Sequence, residues 1–99
     1  MHGLMGSFKA AEGRRAELIA LMLAETGEMP GCLSYVIAED PADDVTVWIT
    51  EVWDSADAHQ ASLKLPAVQA VIAKARPLIA SFGEYRVTRP IGGHRLGAR

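Results

Sequence analysis

Residues 45–53 constrain the fold more than any other stretch of this 99-residue chain: Val45, Thr46, Val47, Trp48, Ile49, Thr50, Glu51, Val52 and Trp53 follow one another without a break. β-Branched and aromatic side chains of this kind suit a pleated, half-buried surface. One face of such a strand carries Val45, Val47, Ile49, Glu51 and Trp53, and the other carries Thr46, Trp48, Thr50 and Val52. Neither face is plainly solvated, so the segment reads as a central strand covered on both sides. Glu51 is the anomaly, because a buried carboxylate must be paired, hydrogen-bonded or protonated.

The surrounding segments supply partners for that strand. Residues 2–9 alternate weakly, with Leu4 and Phe8 on one face. Glu12-Gly13 marks a turn. Leu18, Ile19, Leu21, Met22 and Met29 then define a helix over residues 14–28, weakened by Gly27 and ended by Pro30-Gly31. Residues 32–39 alternate again, and the polar run 40–44 joins them to the central strand as an antiparallel hairpin. Asp54 or Ser55 caps a helix over residues 56–64. Pro66 restarts it at a first-turn position, where a missing N–H does no harm. Val68, Val71, Ile72, Ala75 and Ile79 continue the stripe, and Pro77 predicts a break near Arg76. Residues 83–89 form the last strand. Gly92-Gly93 opens a polar tail, expected to fray.

The order strand, helix, strand, strand, helix, strand predicts an α+β domain of the ferredoxin-like βαββαβ type, a four-stranded antiparallel sheet with helices on one face. A single domain is expected over residues 1–99, with 92–99 as a flexible tail. Tyr35, Ile37, one Trp set and Val87 make the uncovered face too apolar to stay wet, which predicts a symmetric homodimer.

Composition removes several classes of function. Hydrophobic residues make up 49% and charged residues 22%, which is globular rather than disordered. A formal net charge of -2, with acids and bases interspersed, gives no nucleic-acid footprint. One cysteine builds neither an internal disulfide nor a thiolate zinc site. No apolar run approaches a membrane span, and no secretion signal opens the chain, so the expected location is cytoplasmic.

The motifs in order carry a resemblance. Gly13, Pro30-Gly31-Cys32 before a Tyr-bearing strand, Glu51-Val52-Trp53-Asp54, Pro66-Ala67-Val68-Gln69-Ala70 and Pro77-Leu78 together resemble the antibiotic biosynthesis monooxygenase (ABM) domain of the dimeric α+β barrel group. The resemblance implies a ligand pocket between sheet and helices in each subunit. There a phenolic or quinol-like ring would be oxidised by O₂ without metal, flavin or other cofactor. Many members place a His nine positions after the Trp, which here is Ser62; the helical histidine here is His59. Haem-degrading relatives would show an Asn and a His where this chain has Ser7 and Ile72.

The resulting candidates are His59 and Ser62 for catalysis, and Trp48, Trp53, Tyr35, Arg76 and Ile72 for binding the ring. Each has a plainer reading. The two tryptophans fall on opposite strand faces, so at most one lines a pocket, and either fills a core or an interface well. A helical His beside Gln60 reads first as exposed, Ser62 as a space-maker, and Arg76 as charge at a helix end. Glu51 reads as structural, paired with Arg86 or across the dimer. No ligand spacing suggests a metal. A small-ligand-binding or stress-related dimer without turnover, and an isomerase on the same fold, are the competing functions.

Overall fold

The computed structural model describes residues 1–24 and 29–98. Strand β1 (His2–Ala10) leads into helix α1 (Arg15–Ala24), strands β2 (Cys32–Glu39) and β3 (Thr46–Trp53), helices α2 (Ala56–Ser62) and α3 (Pro66–Ala75), and strand β4 (Ile79–Thr88). The four strands form one antiparallel sheet in the order β2-β3-β1-β4, which is the ferredoxin-like arrangement. β3 is an interior strand, as its composition requires.

Residues opposite one another in an antiparallel ladder share a face. Register therefore sorts the sheet. Trp53 lies opposite His2 and Cys32, Glu51 opposite Leu4 and Tyr35, Ile49 opposite Gly6 and Ile37, and Val47 opposite Phe8 and Glu39. This is the helix side: Leu4, Val47, Ile49 and Trp53 are all buried there. Ala10, Leu18, Ala75 and Leu78 join sheet and helices in a core cluster.

Three expectations are corrected. Tyr35, Ile37 and Val87 belong to the helix side, not the open face. The open face instead carries Met5, Thr50 and Val36 in one row, with Trp48 and Val52 beside them. The last strand begins at Ile79 rather than residue 83, because a 3₁₀ turn at Arg76–Leu78 ends the helix early. Pro77 removes a donor there and forces that turn. Within the tail, Gly92–Gly93 pairs with Gly97–Ala98 in a short ribbon, labelled β5 and β6. The predicted end of the first helix near Glu28 lies outside the described residues, and Met29 belongs to the loop rather than the helix.

The hairpin turn between β2 and β3 is closed by side chains. The Asp43 carboxylate accepts hydrogen bonds from Thr46 N (2.7 Å), Thr46 Oγ1 (2.7 Å) and Val45 N (2.9 Å). Arg15 reaches from α1 to donate to Asp43 O at 2.7 Å and to pair with Glu39 at 3.2 Å. Trp48 Nε1 donates to Asp40 Oδ2 at 2.9 Å.

Candidate functional site

A cavity of about 350 Å³ opens between the helix side of the sheet and helices α2 and α3. That is the low end of the range for small-molecule sites. Its walls are mainly apolar, with Phe8, Met22, Val68, Val71, Ile72 and Phe82 among them. The polar groups Tyr35, Glu51, His59 and Ser62 share the walls, and so does Arg76. α2 follows directly on the Trp53 end of β3, whereas Arg76 immediately precedes the Ile79 end of β4. His59 and Arg76 therefore come from opposite ends of the helical cover.

Local sequence explains how α2 is aimed. Ser55 is the N-cap, its Oγ accepting from Ala58 N at 3.1 Å. Gly31 has φ +82, a conformation that favours glycine, and a Cβ there would lie 2.6 Å from the Ala58 Cβ. The Gly31 carbonyl accepts from Asp54 N at 2.8 Å. The Pro-Gly turn before β2 thus lets α2 start hard against the sheet. His59 and Ser62, three residues apart, then share a helix face.

Glu51 is where the polar groups converge. Its Oε1 accepts from Trp53 Nε1 at 2.9 Å, and His59 Nε2 stands 4.0 Å from that same oxygen. The His59 and Glu51 side chains are only 13% and 16% exposed. The His59 ring lies against Trp53, centroids 5.3 Å apart, and the His2 ring centroid lies 5.9 Å from that of His59. Tyr35 sits opposite Glu51 in the register. Burial first, then the Glu51 charge and Cys32, push its phenol well above the ordinary tyrosine range, so it stays a neutral O–H donor. Burial likewise raises the Cys32 thiol, which keeps it protonated and inert.

The structure brings His59, Ser62, Trp53, Tyr35, Arg76 and Ile72 to one cavity. Trp48 does not join them: one residue out of phase with Val47 and Ile49, it lies on the open face, bonded to Asp40. His59 is not a surface residue. Ser62 is buried and spends its hydroxyl on its own helix, donating to His59 O at 2.6 Å. Glu51 has no Arg86 partner, because Arg86 lies opposite Met5 on the other face. Glu51 is the functional candidate that sequence reasoning treated as structural. The signal was present, since it shares a strand face with Trp53, but its link to His59 needed the fold. Among the described residues, no three His, Cys, Asp or Glu side chains converge as a metal site would, and no helix is long and apolar enough to cross a membrane.

Fold and register define a ferredoxin-like α+β domain with a cavity beneath its helices. The profile of the antibiotic biosynthesis monooxygenase family matches residues 1–74, and the chain belongs to that family. A crystal structure from Chloroflexus aurantiacus J-10-fl, described as a candidate antibiotic biosynthesis monooxygenase, is 53% identical with a TM-score of 0.93, over 97% of this chain and 98% of that one. A protein from Deinococcus radiodurans with the same description is 26% identical, TM-score 0.78, over 94% and 95% of the two chains. SnoaB, a cofactor-independent oxygenase from Streptomyces nogalater, shares the fold at 19% identity and TM-score 0.77, over 93% and 94%. No curated protein matches the chain.

Proposed function

We propose that this protein is a cofactor-independent monooxygenase acting on a small, electron-rich aromatic such as a hydroquinone or anthrone. The observation that carries this reading is the concentration of proton-handling groups in one part of an otherwise apolar cavity: His59 within 4.0 Å of Glu51, against the Trp53 ring. O₂ reacts slowly with closed-shell organic molecules. An aromatic anion avoids the spin barrier by giving up one electron first. The radical pair then recombines to a peroxide, and loss of water leaves a carbonyl. For an anthrone, the methylene and O₂ become the quinone carbonyl and water.

The protein's contribution is a dry pocket, a stacking wall and proton transfer. Trp53 and Tyr35 supply the wall, Ile72 packs the ring from above, and His59 handles the proton. Ser62, a small residue on the same face, leaves the space that the ring and His59 share. Arg76 offers a cation to a polar substituent.

The functional unit of this reading is a homodimer. Met5 and Val36 on the open face, and Phe82, Tyr85 and Val87 on the helix side of β4 opposite Phe8, Gly6 and Leu4, are all more than 45% exposed in the single chain. A second copy would cover such a surface. Light scattering at working concentration should report twice the mass of one chain; a stable monomer would remove this part.

The activity test is O₂ uptake with a panel of hydroquinones and anthrones. Uptake that saturates with substrate and falls at least about tenfold in His59→Ala supports the oxygenase, general acid–base groups being worth roughly 10²–10⁴ in rate. Saturable quenching of tryptophan fluorescence without uptake would instead leave a ligand-binding protein.

A further inference from the structure

We infer that Glu51, rather than His59, is the group that takes the proton from the substrate. The inference rests on the aromatic-substrate reading above and refines it, moving the first proton abstraction from His59 to Glu51 and keeping His59 as the next carrier. An ionised carboxylate has about four acceptor positions on two oxygens. At Glu51 the Trp53 indole N–H occupies one position on Oε1, and His59 stands near that same oxygen. Oε2 has no hydrogen-bond partner among the described residues, while the side chain lines the cavity. The free oxygen is thus an acceptor with spare capacity in a place that water must leave when a ring enters.

The geometry also fixes the carboxylate. Trp53 is 1% exposed and cannot swing, so its indole N–H holds Oε1 in place. A base positioned in this way loses little entropy when the substrate arrives. His59, on α2 with Nε2 4.0 Å from Oε1, serves as the second carrier, relaying the proton onward.

The step balances without any oxidant. The O–H or C–H bond of a phenol or anthrone breaks, an Oε–H bond forms on Glu51, and the electron pair stays on the substrate as an aromatic anion. Tyr35, across the strand pair from Glu51 and still protonated, is placed to donate to that anion. The substrate class is therefore a neutral weak acid. A molecule carrying a fixed negative charge at the reacting end would be repelled by Glu51.

The test separates proton transfer from oxygenation. Anthrone is held under argon in D₂O with the purified protein, and exchange of its methylene protons is followed by NMR. Wild type should speed exchange, and Glu51→Gln should reduce it at least about 100-fold, in line with loss of a general base. The Gln carboxamide oxygen can still accept from Trp53, so thermal stability and the quench of tryptophan fluorescence by anthrone should be unchanged. Glu51→Asp, which keeps the carboxylate, should recover part of the rate. Exchange by Glu51→Gln at the wild-type rate overturns the inference, as does a wild type that leaves exchange at the buffer rate. Admitting air to the same samples tests the other reading: exchange without O₂ uptake removes the oxygenase and keeps Glu51 as a base, as an isomerase would need. Uptake by Glu51→Gln at the wild-type rate removes Glu51 and keeps the oxygenase.

Discussion

The two ends of β3 use the same kinds of polar side chain for different ends. At the Thr46 end, two aspartates, an arginine, a threonine and a tryptophan satisfy one another and the backbone. Asp43 accepts three hydrogen bonds, and Arg15 bonds to the backbone and pairs with Glu39. At the Trp53 end, a glutamate, a histidine, a tyrosine and a tryptophan meet, yet among the described residues one oxygen of Glu51, a cavity-lining residue, has no hydrogen-bond partner. The first cluster has little hydrogen-bonding capacity left, so it makes a rigid turn. The second retains acceptor capacity beside a cavity, which is what the proposed proton transfer requires. Residue type does not separate the two clusters; unspent acceptor capacity next to space does.

Four substitutions probe this contrast. Trp53→Ala should have the largest effect, because removing a fully buried tryptophan costs about 3–5 kcal/mol. Urea unfolding should show it as a lower midpoint. A small shift would mean that the cavity end carries little of the fold. Arg15→Ala should come next, at about 2 kcal/mol for the loss of charge-assisted hydrogen bonds to backbone carbonyls. It should leave anthrone binding unchanged, and a loss of binding would show that the two ends are coupled.

Asp43 gives a smaller effect with a pH signature. Hydrogen bonds from Thr46 N, then Thr46 Oγ1, then Val45 N hold its carboxyl down from 3.8 to about 2, with Arg15 adding to them. A depressed folded value means the contribution is complete above pH 3.8 and is lost as pH falls toward about 2. Melting temperatures measured from pH 5 down to 2 should fall less steeply in Asp43→Asn than in wild type. Parallel curves would contradict the assignment. Ser62→Ala should have the smallest effect, under about 1 kcal/mol for one local hydrogen bond, with O₂ uptake or anthrone exchange within a few-fold of wild type. A loss as large as that of His59→Ala would give the hydroxyl a role in the chemistry.

Much of the fold was legible. The period-two run at residues 45–53, the polar hairpin turn, Pro66 at a helix start and Pro77 at a helix break each carry their own local physics. Tyr35 and Ile37 were assigned to the wrong face because alternation gives two faces without saying which one the helices cover. β4 was started late because Ile79 fits a helical stripe as well as a strand. At the site, five of the proposed binding or catalytic side chains other than Ile72 reach one cavity, and Trp48 is the exception. It differs from Trp53 by an odd number of residues, which on a strand means the opposite face.

The sequence by itself determined the order of elements, the interior place of β3 and the membership of the family, because these depend on patterns that repeat within a few residues. Only the tertiary structure decided that Glu51 faces His59 instead of Arg86, and that its side chain lines a cavity with one carboxylate oxygen unpaired among the described residues. Those facts depend on strand register and on how α2 crosses the sheet, where residues far apart in the chain set each other's surroundings.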